Sequence, residues 1–163
     1  MGGNVEIFEA LGEATPVLRR YARALGAGAA AAVTDGIVQS ALQSVGARIH
    51  ARELRPIGPE EARFEAYVAL TAIAARKLTD PPAPGPRHPQ IVHGLAALPF
   101  EERAMLLLVS LEGFGYDAAA RIVGAPRETA LSLLRRARAS LAGGATPDEA
   151  GVRRGGSHLR VVK

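Results

Sequence analysis

Residues 116–127 read YDAAARIVGAPR, and this stretch decides the fold of the C-terminal third of the chain. It predicts a short helix from Tyr116 to Val123, a turn that begins at Gly124, and a final helix from Arg127 to Leu141. Ala120 is small enough for the two helices to touch, and Gly124 readily adopts the positive φ that such a turn requires. Two helices around a short, glycine-containing turn are typical of a helix-turn-helix unit. A helical hairpin without a nucleic-acid role is the alternative.

A proline-rich segment separates this unit from the first half of the chain. Residues 80–89 read DPPAPGPRHP, and five prolines in ten residues favour an extended spacer over a helix. The sequence therefore divides into four parts. We predict a helical bundle over residues 1–79, a linker over 80–93, a helix-turn-helix domain over 94–142 and a flexible, glycine-rich tail over 143–163.

The N-terminal block carries several stretches with apolar residues at helical spacing. After a short helix over residues 5–11, Thr15 and Pro16 predict the cap and the first residue of a helix that ends at Gly26. Two further helices are predicted over residues 29–50 and 60–78. Aromatic residues make up 4% of the chain and there is no Trp, so we expect a core of Ala, Leu, Val and Ile, which suits closely packed helices. The predicted fold class is all-α, with two small helical domains.

Composition argues against several classes of protein. The chain has no cysteine, which excludes disulfides, thiolate nucleophiles and cysteine zinc sites. No run approaches 18 apolar residues, and the N-terminus lacks a signal-peptide pattern, so we expect a soluble, cytoplasmic protein with no membrane partner. The four histidines lack metal-ligand spacing, and no glycine-rich phosphate loop is present. We therefore expect no catalytic residue, no metal, no cofactor and no small-molecule substrate, which argues against an enzyme.

The net charge of +4 is unevenly distributed. Residues 1–80 contain nine Arg or Lys and nine Asp or Glu, whereas residues 81–163 contain eleven and seven. A basic C-terminal half suits a nucleic-acid or acidic-protein partner. A merely solubilising surface is the alternative on charge alone.

Three segments around the helix-turn-helix resemble domain 4 of the extracytoplasmic-function (ECF) sigma factors. They are LAALP at residues 95–99, LEGFGY at 111–116 and RRARASL at 135–141. In the first half, residues 18–25 resemble the opening helix of domain 2, and Ile37-Val38-Gln39 resembles its polymerase-clamp helix. The proline-rich spacer falls where this family has its linker. The resemblance implies a transcription regulator that binds core RNA polymerase and directs it to promoter DNA.

The resemblance also assigns roles to two sets of residues. On the second helix of the helix-turn-helix unit, the residues expected to face DNA are Arg127, Thr129, Ser132, Arg135, Arg136 and Arg138. The residues expected to contact a protein partner are Asp35, Ile37, Val38, Gln39, Leu131 and Leu133. For Leu131 and Leu133, internal packing is an alternative that the sequence leaves open.

Several residues depart from the ECF pattern. Gly36 and Ser40 stand where the clamp helix usually has acidic residues, and Leu131 and Leu133 stand where the recognition helix has cations. Glu128 adds a negative charge beside the expected phosphates. These departures, together with residues 68–70, are similar to the sigma-like domain of the PhyR-type stress response regulators. That resemblance implies a mimic that binds an anti-sigma factor in partner switching.

Three hypotheses therefore remain at this point: an active sigma factor, a sigma mimic, and an independent helix-turn-helix regulator that uses only the C-terminal block. Tyr67 bears on the choice, because it lies in the helix that resembles the promoter-melting helix of sigma factors. It either stacks on a flipped base or packs in the core, and we favour the core.

Overall fold

The described part of the chain folds into helices alone. The computed structural model describes residues 2–79 and 83–144. These residues form seven α-helices and no strand, which confirms the predicted all-α class. The helices are α1 (Gly2–Gly26), α2 (Ala31–His50), α3 (Pro59–Lys77), α4 (Gln90–Ala97), α5 (Phe100–Ser110), α6 (Tyr116–Val123) and α7 (Arg127–Gly144).

The first three helices pack against one another and form the N-terminal lobe. Its fully buried side chains include Leu18, Tyr21, Ile37, Val45 and Leu70. Small residues such as alanine fill the remaining space between the helices, as the composition predicts, because they allow helix axes to approach closely.

The helix α1 is one continuous helix rather than the two that the sequence predicts. Pro16 lies inside it, and the Thr15 hydroxyl donates to the Leu11 carbonyl at 3.4 Å instead of capping a new helix. The apolar stripe continues across the proline, since Ile7 and Leu18 are both buried. A proline inside a helix costs about 3 kcal/mol, but burying each large aliphatic side chain contributes about 1.5–3 kcal/mol. Packing therefore overrides the local signal.

The last four helices form the C-terminal lobe: α6 and α7 pack on α5, and α4 packs on α7 and on α1 of the N-terminal lobe. Every residue from Glu102 to Leu108 is buried, so α5 is the central helix of this lobe. The helices α6 and α7 form the predicted helix-turn-helix unit, with Ala120 buried between them and Gly124 at φ +76°. The amides of Gly124 and Ala125 both donate to the Ala120 carbonyl, at 2.9 and 3.0 Å, and so close the turn.

The end of the predicted linker is helical. The helix α4 begins at Gln90, inside the residues that the sequence assigns to the linker. Earlier in the linker, Pro84 packs on Gly28, the positive-φ residue that follows α1: a Cβ added at Gly28 would lie 3.4 Å from the Pro84 Cα. The linker therefore rests on the turn between α1 and α2.

The C-terminal helix continues through Gly144 and so passes its predicted end at Leu141. The remainder of the predicted tail lies outside the described residues. Within the described ranges, no helix is long and apolar enough to cross a membrane. In the same part of the chain, no three His, Cys, Asp or Glu side chains are grouped so that they could hold a metal ion.

Candidate nucleic-acid and partner-binding interfaces

The outer face of α7 carries the residues predicted to meet DNA. Thr129 and Ser132 are exposed, as expected from their spacing. The Ser132 hydroxyl donates to the Glu128 carbonyl of its own helix at 3.1 Å, and the Arg135 Nε donates to the Leu131 carbonyl at 3.4 Å. This face therefore satisfies part of its hydrogen-bonding capacity within α7.

Two of the four arginines on this face are paired with acidic residues of the same lobe. The Arg127 Nε lies 3.2 Å from Asp117 Oδ1, and both side chains are well exposed. The Arg136 Nε lies 2.9 Å from Oε1 of Glu102, whose side chain is 10% exposed. A buried carboxylate is costly to leave without its cation, so Arg136 is committed to Glu102. Among the described residues, Arg135 and Arg138 form no ion pair with a carboxylate.

The two leucines of the recognition helix have different environments. Leu133 is 4% exposed and belongs to the core between α5 and α7. Its predicted contact with a partner is therefore not available on this surface, because the side chain points into its own lobe. Leu131 is partly exposed and stays a predicted partner contact.

The predicted clamp residues on α2 divide in the same way. Ile37 and Val38 are 0% and 2% exposed. Ile37 packs in the core of its own lobe, so the prediction that it contacts a partner is corrected, whereas Val38 also lines a groove between α1 and α2 and stays a predicted partner contact. Gln39 is exposed. Asp35 is half-buried, and its Oδ1 lies 3.7 Å from Arg19 Nε and 3.6 Å from Arg23 Nη2.

A shallow groove runs between α1 and α2 at this position. It encloses about 400 Å³ and includes Asp35, Gly36, Gln39 and Arg19 in its lining. An added Cβ at Gly36 would meet no atom within 4 Å. The groove therefore has open space at the position where an ECF sigma factor presents an acidic side chain.

The two lobes meet at a carboxylate whose role the sequence analysis missed. Glu112 follows α5, and its side chain is 3% exposed. Arg20 of α1 donates to Glu112 Oε1 from Nε at 3.2 Å and from Nη2 at 3.0 Å. The Tyr67 hydroxyl of α3 donates to Glu112 Oε2 at 2.5 Å. One carboxylate therefore joins two helices of the N-terminal lobe to the C-terminal lobe.

Aromatic side chains surround this carboxylate. Phe114 meets Tyr67 edge to face, with ring centroids 4.9 Å apart, and Phe64 at 6.5 Å. The Arg121 guanidinium lies over the Phe64 ring, 4.7 Å from its centroid. Gly113, at φ +75°, makes the turn that brings both Glu112 and Phe114 to α3. We call this set of contacts, centred on Glu112 and Phe114, the lobe junction.

The lobe junction keeps the hydroxyl of Tyr67 protonated. Burial raises the pKa of Tyr67 far above its usual value, and the hydrogen bond to Glu112 and the negative charge of that carboxylate raise it further. Burial also raises the pKa of Tyr21, whose hydroxyl is hydrogen-bonded to Thr71 Oγ1 at 3.0 Å. Tyr67 therefore acts as a hydrogen-bond donor at any physiological pH, and core packing is confirmed as its position, at 3% exposure.

Comparison with known proteins agrees with the C-terminal geometry. Residues 89–141 match the family Sigma-70, region 4. The C-terminal lobe is sigma-70 region 4-like. The match covers the whole of α4, α5 and α6 and reaches Leu141 in α7, so it includes α4, which the sequence analysis had assigned partly to the linker.

The fold of both lobes together also has a solved counterpart. It is found in the co-crystal structure of the anti-anti-sigma factor PhyR complexed with the anti-sigma factor NepR from Bartonella quintana. The TM-score is 0.64, the sequence identity is 20%, and the match covers 84% of this chain and 49% of the solved chain. The present chain thus spans about half the length of this solved chain. A search of curated protein sequences gives no significant match.

Proposed function

We propose that this sigma-like chain regulates transcription as a mimic, which occupies an anti-sigma factor instead of reading promoter DNA. The lobe junction is the observation that carries the proposal. In its position along the chain, α3 corresponds to the helix with which the ECF sigma factors that this chain resembles melt and read the promoter. Here its Tyr67 is buried under Phe114, and its hydroxyl is bound to Glu112. A base cannot stack on a ring that another ring already covers.

The charges on the helix-turn-helix support the same proposal. Affinity for duplex DNA grows with the number of phosphates that cations neutralise. Arg127 and Arg136 are paired with Asp117 and Glu102, and Glu128 adds an exposed negative charge at the start of α7. On the described part of this face, Arg135 and Arg138 are therefore the arginines left without a carboxylate partner to bind a phosphate backbone.

The class of partner is suggested by the structural relative. PhyR was solved in complex with the anti-sigma factor NepR, and the present chain has the same fold over most of its length. The surfaces that remain open for such a partner are the α1–α2 groove beside Gln39 and the partly exposed Leu131 on α7. An anti-sigma factor that recognises a sigma-like fold would find both lobes in one fixed arrangement.

A competition experiment with purified proteins tests the proposal. The full chain is mixed with core RNA polymerase and with the complex of a NepR-type anti-sigma factor and its sigma factor from the same genome, and the resulting complexes are separated by size-exclusion chromatography. We expect the chain to elute with the anti-sigma factor and to release a sigma factor already bound to it. A chain that elutes with polymerase and starts transcription from a promoter would show the proposal to be wrong.

A surface variant sharpens this experiment. Leu131→Arg places a charge at the partly exposed apolar position of α7, and we expect it to weaken anti-sigma binding at least about tenfold, as losing a buried apolar contact at an interface does. Glu101→Arg, at an exposed position of α5, is the matched control and should bind as the native chain does.

An active sigma factor remains a second candidate, favoured by the region 4 match and by the exposed Thr129 and Ser132. Gel shifts of the full chain on promoter and unrelated DNA at several salt concentrations test it. A sigma factor or an independent helix-turn-helix regulator would prefer one sequence, whereas a mimic would bind both weakly. The slope of log affinity against log salt gives the number of phosphates neutralised, at about 0.9 per phosphate.

A further inference from the structure

The lobe junction combines two kinds of contact with different physical properties. Phe64, Tyr67 and Phe114 supply apolar area, which stabilises association but tolerates many relative positions. Glu112 supplies directional hydrogen bonds to charged and hydroxyl donors, which require one position. The aromatic contacts thus stabilise the association of the two lobes, and the hydrogen bonds of the carboxylate select one relative orientation of the lobes.

Burial of the Glu112 carboxylate also makes this arrangement depend on the hydrogen-bond partners of that group. Glu112 is almost fully removed from solvent, whereas its partner Arg20 is half-exposed. If the lobes move apart, Glu112 gains water in exchange for Arg20 and Tyr67; if they stay together without Arg20, it is a buried charge without a cation, which is strongly unfavourable. The closed arrangement therefore depends on both partners being in place.

We propose that Glu112 is a latch: its contacts with Arg20 and Tyr67 hold the two lobes closed, and their loss lets the lobes separate and uncovers the face of α3 that bears Phe64 and Tyr67. Within each lobe the helices pack on one another, α1 with α2 and α3, and α5 with α6 and α7, while across the lobes α1 packs on α4 and α5, and α3 packs on α6. Opening is therefore a movement between lobes and not an unfolding of either one.

The latch gives α3 two states. In the closed state its aromatic side chains are covered by Phe114 and Arg121. In the open state Phe64 and Tyr67 face solvent beside the basic side chains of Arg20 and Arg63. Any partner that requires this face of α3 must first break the contacts of Glu112, so the latch controls access to it.

Interlobe distances measured by pulsed electron resonance test the latch directly. The chain contains no cysteine, so Ser44→Cys on α2 and Ser140→Cys on α7, both at exposed positions, carry the only two spin labels. We expect one narrow distance distribution for the labelled chain. Arg20→Ala and Glu112→Ala should each add a population at longer distance, with the open-to-closed ratio raised about ten- to a hundredfold, as expected for lost hydrogen bonds to a charged group.

Controls separate the latch from general damage to α5. Glu101→Ala removes an exposed carboxylate of α5, the helix that precedes Glu112, and should leave the distance distribution unchanged. Glu112→Gln keeps the size of the side chain and its ability to accept hydrogen bonds, so it should fold and open less than Glu112→Ala. In the double variant Arg20→Ala/Glu112→Ala, opening should equal that of Glu112→Ala alone, because Arg20 then has no partner left to hold.

Two results would overturn the latch. One is an unchanged distance distribution in Arg20→Ala and Glu112→Gln chains that keep native helicity by circular dichroism. The other is equal opening in Glu101→Ala, which would assign the effect to α5 as a whole. Because no partner protein enters these measurements, the latch and the proposed anti-sigma function can fail independently.

Discussion

At the scale of single residues, Gly36 distinguishes this chain from the sigma factors that it resembles. It lies in the middle of α2, in the groove beside Asp35, where the family carries an acidic side chain. Ser40, the other replaced position, donates its hydroxyl to the Gly36 carbonyl at 2.8 Å. Gly36 lines the groove and Ser40 lies one turn further along the same helix, so together they remove the negative charge that the resemblance to a polymerase clamp helix implies.

Restoring that charge should increase affinity for core RNA polymerase. Gly36→Glu/Ser40→Glu is expected to fold, since an added Cβ at Gly36 meets no atom within 4 Å and replacing a mid-helix glycine gains about 0.5–1 kcal/mol. If the resemblance to the clamp helix is correct, the two carboxylates should tighten polymerase binding about tenfold or more, as new charged hydrogen bonds do. Surface plasmon resonance on immobilised polymerase measures the change.

The matched control for this prediction is Ala47→Glu, which adds a carboxylate at an exposed position two turns beyond Ser40 on α2 and outside the lining of the groove. It should leave polymerase affinity unchanged. Equal affinity for the double variant and the control would show that these positions do not face polymerase in the way that the resemblance implies.

At the scale of elements, α1 shows packing prevailing over local sequence preference. Thr15-Pro16 is typical of a helix start, yet both residues lie inside a helix of 25 residues. The prediction failed because the cap signal is local, whereas the stripe from Ile7 to Leu25 is buried in a helix that packs against four others, α2, α3, α4 and α5. Pro16 itself is exposed, so its ring meets solvent and disturbs only the backbone of its own helix.

Because Pro16 lies inside α1, we expect its replacement by alanine to stabilise the protein. Pro16→Ala restores a backbone donor in the helix interior and should raise the free energy of unfolding by up to about 3 kcal/mol. Urea unfolding followed by circular dichroism at 222 nm measures it, with Pro59→Ala at the start of α3 as the control, where proline is favourable and the change should be neutral or destabilising. A neutral Pro16→Ala would mean that α1 is broken in solution after all.

The elements that the sequence predicted well are those set by neighbouring residues. The bounds of α6, the small Ala120 and the positive φ of Gly124 all follow from spacing within a few positions. The role of Glu112 does not, because its partners lie 92 and 45 residues away. The sequence does show an acidic residue and an aromatic residue, Glu112 and Phe114, on either side of Gly113. Their contacts with the N-terminal lobe become visible only in the packed structure.

The same reasoning applies to the predicted partner contacts. Ile37, Val38 and Leu133 were placed by their match to a motif, and a motif does not say which side of a helix turns inward. Their burial became evident only with the neighbouring helices in place.

At the scale of the whole molecule, two buried tyrosines make the stability of the folded state depend on pH in the alkaline range. Burial raises the pKa values of Tyr21 and Tyr67 above the value of 10.0 that an unburied tyrosine has. Since the folded chain keeps both hydroxyls protonated while the unfolded chain ionises them near 10, their contribution to stability is complete below pH 10 and is lost as the pH rises above it.

We therefore expect tyrosinate to appear only as the protein unfolds. In a Tyr116→Phe background, which leaves Tyr21 and Tyr67 as the only tyrosines, the absorbance at 295 nm should rise together with the loss of the helical dichroism at 222 nm. Tyr67→Phe in the same background should halve the absorbance change. Ionisation of both tyrosines near pH 10 with full helicity would contradict the burial of this junction.

The packing of Pro84 on Gly28 determines how strong the lobe junction needs to be. Because Pro84 is docked on the N-terminal lobe, only residues 85–89 separate this anchored point from the start of α4 at Gln90, and such a short tether keeps the joined lobes at an effective concentration of millimolar order. Two separate proteins usually bury about 1,200–2,000 Å² to form a stable complex, whereas tethered lobes need an intrinsic affinity of only about −4 kcal/mol to be half closed. A junction of that modest strength responds to the gain or loss of a single ion pair.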